Sequence, residues 1–471
     1  MIYTLAGTLP MASALILLPF YIHHLSTEVY GALTVYMAFT LFIQIAAAFS
    51  FDSSVYIHYH EFKNDKRKLS VFISSAFVFM ILIGLGVSVV LALTGDLIFE
   101  TVLQQENVSF YPYGLASVGS GVLQALFKVH SSLLQSREKP ETFFWSNVLS
   151  FGLIASFTLI GLELFPNSLM GPIVGRFAAA VITAAWVLFR IFKEFGFHYD
   201  FGWLRTSFSF NTYTYIYQLL QWTINHFDRI LMLLMLSLSE VGIYAFAIQC
   251  LIALELLMNS LHSSFYPQVV SNIMGQKEKH STPEVNRYYH GLTAVIMLCA
   301  CIGIFTLPWI IETFVYKKAY QQTIPYLPYL AAIYFFRTMR LYFTAPYGIL
   351  KYTKPLPVIY FIVAAVKIVL MLLLMPSMKI YGVIVASLVS AVLELLMLRF
   401  AIGDKFTFQY NFFKVVGLPM LLFAAIITLE PLLADTAPYL LHLFYLLFTA
   451  TLLWWAYRNE IQLLNPFRSG N

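Results

Sequence analysis

The chain has 471 residues, 60% hydrophobic and 11% charged, with a mean hydropathy of +0.76 and a formal net charge of +5. That balance excludes an ordinary water-soluble globular protein and a disordered one, because so little charge cannot solvate so much apolar surface. The small positive surplus sits in loops between apolar runs, where it reflects membrane topology and anionic headgroups, and no nucleic-acid partner is expected.

Apolar runs able to cross about 30 Å of hydrocarbon fall near residues 2–22, 30–51, 69–94, 110–134, 142–163, 168–192, 211–236, 240–265, 289–312, 323–347, 356–375, 381–402, 415–431 and 438–457. The first lacks a basic lead, and Pro10 and Pro19 interrupt any cleavable signal, so it reads as a retained helix. In chain order, the loops on one side carry Lys63, Lys66, Arg67 and Lys68; Arg137 and Lys139; Arg190, Lys193 and Arg205; Lys277, Lys279 and Arg287; Lys351 and Lys354; Arg399, Lys405 and Lys414; then Arg458 and Arg468. The other side has Lys317, Lys318 and Lys379. Nineteen against three fits the positive-inside rule and supports an even number of spans, with both termini expected in the cytoplasm. Cys250, Cys299 and Cys301 all lie in apolar spans, and a two-residue spacing on a helix points side chains apart, so neither a disulfide nor a metal site is expected.

An internal repeat is visible. Leu25 to Ala32 (LSTEVYGA) precedes span two, Leu238 to Ala245 (LSEVGIYA) opens span eight, and Ile380 to Val383 (IYGV) gives a shorter echo at span twelve. An offset of six spans leaves both halves in one orientation, related by an axis along the membrane normal. The expected fold is all-α and polytopic. A six-helix bundle spans 1–195, a cytoplasmic linker 196–210, a second bundle 211–405, and two trailing helices with a tail 406–471.

Polar residues recur at steps of three and four in three spans. Span four has Ser117, Ser120, Gln124, Lys128, Ser131 and Gln135; span seven has Asn211, Thr214, Gln218, Gln221, Asn225, Asp228 and Arg229; span ten has Tyr326, Tyr329, Arg337, Arg340, Thr344 and Tyr347. Shorter stripes occupy span two (Thr40, Gln44, Asp52), span eight (Glu255, Asn259, His262) and span twelve (Ser387, Ser390, Glu394). A charge at bilayer depth costs about 2.5 to 3.5 kcal/mol, so such faces meet water or each other. Six basic side chains, Lys128, Arg176, Arg229, Arg337, Arg340 and Lys367, stand against Asp52, Asp228, Glu255 and Glu394, a surplus of about two that favours an anionic substrate with phosphate oxygens. Structural alternatives stand beside this: Asp228 and Arg229 as an intramembrane ion pair, Lys128 snorkelling to the interface, and the carboxylates as packing groups or as proton or sodium sites.

Four stretches, Leu18 to Gly31 (LPFYIHHLSTEVYG), Phe49 to Tyr59 (FSFDSSVYIHY), Trp222 to Arg229 (WTINHFDR) and Glu240 to Ala247 (EVGIYAFA), followed by Tyr266 and Pro267, carry a family likeness. The chain resembles the polysaccharide transporters of the multidrug/oligosaccharidyl-lipid/polysaccharide (MOP) exporter superfamily, the O-antigen and capsule repeat-unit flippases. The resemblance implies alternating access by two rocking bundles in a bacterial cytoplasmic membrane. The cargo implied is an undecaprenyl-diphosphate-linked oligosaccharide, moved from the inner to the outer leaflet. It implies proton or sodium coupling without a bound cofactor, and a pathway shared with glycosyltransferases and a polymerase. Rival readings are a multidrug antiporter of organic cations, a flippase of a peptidoglycan precursor, and an oligosaccharide polymerase or ligase. Cationic spans disfavour the first rival, short and nearly chargeless outer loops disfavour the last, and no glycine loop for a nucleotide is present.

Overall fold

The computed structural model describes residues 15–103, 108–276, 279–433 and 438–461. The beginning of span one, Lys277 and Arg468 lie outside the described residues. In chain order the helices are α1 (Leu15–His24), α2 (Thr27–Ala48), α3 (Phe51–Phe62), α4 (Lys66–Ile98), α5 (Leu115–Ser136), α6 (Pro140–Leu164), α7 (Met170–Phe195), α8 (Phe201–Met235), α9 (Leu238–Cys250) and α10 (Ile252–Met274). They continue as α11 (Pro283–Phe314), the short α12 (Lys318–Gln321), α13 (Leu327–Ile349), α14 (Leu356–Met378), α15 (Ile380–Ala401), α16 (Leu418–Leu433) and α17 (Pro438–Ile461). Each of the fourteen predicted spans contains a helix. Residues 201–210 of the expected linker are helical, so only 196–200 separate α7 from α8.

Local chemistry sets several of these starts. Ser26, Asp65 and Thr282 accept the backbone N–H three residues on, at 3.3, 3.1 and 3.1 Å, and Pro140 and Pro283 occupy the first helical position, where no N–H is needed. Among the described residues, eight helical segments are long and apolar enough to cross a membrane. Helices α5, α8 and α13 fall short of that measure because they carry the three long polar stripes.

Two spans are broken. Phe49 and Ser50 adopt left-handed φ values of 42° and 56°, which end α2 and restart the chain as α3. Leu251, at φ −94° and ψ 0°, divides α9 from α10. Neither break has proline or glycine at its corner.

Contacts divide the chain into two bodies, Met1–Ala245 and Phe246–Asn471. In the first, α5 is central: it packs on α2, α3, α4, α6 and α7, while α6 pairs closely with α7. Helix α8 belongs to the same body, packing on α2, and the Trp222 indole donates to the Ala38 carbonyl at 3.0 Å. In the second body α13 takes the central place, against α10, α11, α15 and α16, and α14 pairs closely with α15. Counted in spans, the pairs two with four, three with four, four with six and five with six recur as eight with ten, nine with ten, ten with twelve and eleven with twelve. The packing therefore repeats with the six-span period of the sequence.

Glycines make the closest crossings. A Cβ on Gly31 would lie 2.1 Å from the Leu238 carbonyl oxygen, and one on Gly242 would lie 1.9 Å from that of Thr27, so the two repeat motifs touch backbone to backbone. The Thr27 and Ser239 hydroxyls hydrogen-bond beside them at 2.7 Å. Gly161 and Gly171 bring α6 and α7 together in the same way.

Candidate functional site

Asp52 occupies the first turn of α3, immediately after the break, where the exposed N–H groups of a helix start favour negative charge. Lys128 on α5 places Nζ 3.1 Å from Asp52 Oδ2, and Gln218 on α8 points its amide at both carboxylate oxygens from 3.4 and 3.5 Å. Three elements thus bring a carboxylate, a cation and an amide to one point. Gln124, one turn before Lys128, keeps a buried amide nitrogen without a hydrogen-bond partner. Further along α8, Asn225 donates to the Gln221 carbonyl at 2.7 Å, so these two members of the stripe are tied to their own helix.

Asp228 is 3% exposed and accepts from the Tyr244 hydroxyl at 2.8 Å and from the Arg229 backbone N–H at 2.9 Å. The Arg229 guanidinium lies 3.5 Å from the same carboxylate and also reaches His226 at 3.3 Å. This network holds α8 to α9. Arg176, half-buried on α7, makes no ion pair among the described residues.

In the second body Glu255 also stands in the first turn after a break, that of α10, and its carboxylate receives Arg337 from α13 at 2.7 Å. The guanidinium lies 5.1 Å from the Tyr334 ring centroid, which adds a cation–π contact. One turn on, Arg340 approaches Glu394 of α15 at 4.0 Å, a distance that leaves this carboxylate oxygen buried without a hydrogen bond. Lys367 is buried on α14, and Asn259 is half-buried one turn beyond Glu255. Each of the four intramembrane carboxylates therefore has one of the expected basic side chains within 4.0 Å.

A further ionic group escaped the sequence reading. Lys414, counted among loop cations, meets Glu460 of α17 at 2.6 Å, and the Tyr457 hydroxyl hydrogen-bonds the Lys414 carbonyl. Buried His290 lies in the same body and has a ring nitrogen without a partner. A polar residue near the end of each of two distant spans gives no periodic signal, so only packing reveals the pair. Among the described residues no cluster of three or more His, Cys, Asp or Glu side chains has metal-binding geometry.

Apolar spans, two broken helices with a carboxylate after each break, and a duplicated packing scheme define a multi-pass membrane protein of the MOP exporter fold. The lipid II flippase MurJ, in an inward closed conformation, has a similar structure with a TM-score of 0.74 at 15% identity, the match covering 98% of this chain and 99% of that one. Two structures of a multidrug resistance MATE family transporter are also similar. The inward-facing one has a TM-score of 0.69 at 12% identity, covering 85% and 95% of the two chains, and the outward-facing one 0.56 at 13%, covering 86% and 96%. No curated protein matches by sequence. Residues 1–274 match the family described as polysaccharide biosynthesis protein, and the chain belongs to that family.

Proposed function

We propose that the chain is a flippase that carries an undecaprenyl-diphosphate-linked oligosaccharide from the cytoplasmic to the outer leaflet of a bacterial cytoplasmic membrane, with both termini cytoplasmic. It acts as a transporter and not as a polymerase or ligase. Family membership supports a role in polysaccharide assembly, and the lipid flippase named among the similar structures supports a lipid-linked cargo. The observation that carries the reading furthest is the pairing of Arg337 with Glu255 and of Lys128 with Asp52, each just beyond a break in a spanning helix.

A resting ion pair keeps a cation tolerable within the membrane and still releasable. Diphosphate oxygens compete with the carboxylate for the same guanidinium or ammonium group. A proton or sodium ion on Asp52 or Glu255 removes that competition, so binding of the coupling ion and binding of the phosphate reinforce each other. Arg340, Arg176 and Lys367 supply further positive charge along the route. The two bundles rock to exchange access between leaflets while the polyprenyl chain stays in lipid.

The test is reconstitution of the purified chain in liposomes, with leaflet transfer of a polyprenyl-diphosphate oligosaccharide followed with and without proton or sodium gradients. Transfer above that of empty liposomes, accelerated by one gradient, is the expected result. Gradient-driven efflux of an organic cation without glycolipid transfer would place the chain with the multidrug antiporters instead.

A further inference from the structure

At the end of the first body where α5 and α7 finish and α6 begins, a recess of about 360 Å³, its open mouth included, is lined by His130, Arg137, Lys139, Thr142, Arg190 and Glu194 among others. Arg137 is fixed there: its guanidinium donates to both Glu194 oxygens at 3.0 and 2.9 Å and lies 4.9 Å from the Phe195 ring centroid. Lys139 and Arg190 are exposed and have no ion-pair partner among the described residues. With Glu194 spent on Arg137, those two charges are the surplus of the lining, while Glu138 and Glu141 are exposed and outside it.

Two neutral features border the recess, and the first favours the same sign of ligand. Helix α6 begins without a side-chain cap, so the N–H groups of its first turn, beside Thr142, are open to an anion. His130, 5% exposed, has its Nδ1 buried without a hydrogen-bond partner. Apolar side chains flank the mouth: Trp145, one turn beyond Thr142, is 66% exposed, and Phe189, next to Arg190 and beneath Lys193, is 62% exposed. A free anion has no use for such flanks, whereas a lipid covers them with its chains.

We propose that this recess binds the phosphate of a lipid headgroup, with Lys139 and Arg190 as its principal contacts and the acyl chains lying along α6 and α7. A basic pocket between helices at the interface, beside exposed aromatic residues at headgroup level, has the chemistry this requires. The site is separate from the ion pairs at the helix breaks, and its test involves no transport.

The experiment is native mass spectrometry of the purified full chain with phosphatidylglycerol or phosphatidylcholine added. The variants are Lys139→Gln/Arg190→Gln and, as a control with the same charge change elsewhere, Lys351→Gln/Lys354→Gln. The expected result is phosphatidylglycerol binding weakened roughly twenty-five-fold in the first variant, from about a five-fold contribution per interfacial charge, and unchanged in the control. Addition of undecaprenyl diphosphate distinguishes the sources: failure to displace the phospholipid assigns the site to a bilayer lipid, and displacement assigns it to a diphosphate-bearing one. The proposal is overturned by unchanged binding in the first variant, by equal loss in the control, or by displacement with inorganic phosphate at the same concentration. Both substituted side chains are exposed, so folding should be retained, and a thermal melt checks this.

Discussion

The two bodies solve one problem with different chemistry. In each, the even-numbered span that opens the repeat breaks, presents a carboxylate in the first turn beyond the break, and meets a cation from the span two further on: Asp52 with Lys128, Glu255 with Arg337. The break itself is not conserved between the repeats in position, falling at Phe49 in one and at Leu251 in the other. The first pair uses a lysine at 3.1 Å, softened by the Gln218 amide; the second uses an arginine at 2.7 Å, backed by Tyr334. A planar guanidinium gives up less freedom per hydrogen bond than an ammonium on a flexible stem and suits a diphosphate better. Under the proposed function the second body is therefore the stronger phosphate clamp and the first the more easily released one.

The largest effect that would break this comparison follows from removing the stronger side. Arg337→Gln together with Arg340→Gln should lower glycolipid transfer in liposomes by roughly a hundredfold or more, from about 1.5 to 3 kcal/mol for each lost hydrogen bond to a charged group. Adding Glu255→Gln to Arg337→Gln should restore thermal stability, because no carboxylate is then left unpaired, without restoring transfer. Recovery of both would make the pair structural. Lys128→Gln should cost less, roughly tenfold in transfer, since Gln218 still faces Asp52. An effect of Lys128→Gln as large as that of Arg337→Gln would show that the two clamps are equivalent.

Much of this is legible in the sequence alone. Apolar runs set the spans, the LSTEVYGA and LSEVGIYA motifs disclosed the repeat, and steps of three and four placed Lys128, Gln218 and Arg337 on faces that lipid would not tolerate. Periodicity assigns a residue to a face, however, and never to a partner. So the sequence suggests a surplus of available cations in the spans, whereas packing gives each carboxylate its own. The breaks were hidden for a related reason: Phe49, Ser50 and Leu251 have no intrinsic reason to interrupt a helix, and neighbouring helices impose the turn. The reach of α8 back to Phe201 was missed because polar residues near a membrane surface read equally well as a loop.

The glycine contact of the two repeat motifs yields a smaller prediction. Gly31→Ala or Gly242→Ala forces a methyl against a backbone carbonyl at about 2 Å, a clash that a flexible side chain cannot absorb. The expected cost is roughly 1 to 3 kcal/mol, read as a lowered midpoint in thermal unfolding in detergent. The same substitution at Gly152, where nothing lies within 4 Å, should change little. An equal loss at the two kinds of site would mean that the close crossing does not determine the response, since helix propensity alone favours alanine.

The smallest effect belongs to Asp65, whose carboxylate caps α4 by accepting the Lys68 N–H at 3.1 Å and pairs with the Lys68 side chain at 3.2 Å. Those two contacts, the backbone one first, hold its carboxyl below the ordinary carboxylate range. The sign follows from linkage: a folded-state value below the unfolded one means the cap contributes fully above the unfolded-state value and is lost as pH falls through the folded one. Amide exchange at Lys66 to Leu69, corrected for the intrinsic pH dependence of exchange, should therefore lose protection on acidification, and Asp65→Ala should remove both the protection and its pH dependence. Because the side chain is 44% exposed, in the loop before α4, transfer activity should stay within about twofold of the parent chain. A larger loss would mean that the loop before α4, and not only the ion pairs at the helix breaks, takes part in moving the cargo.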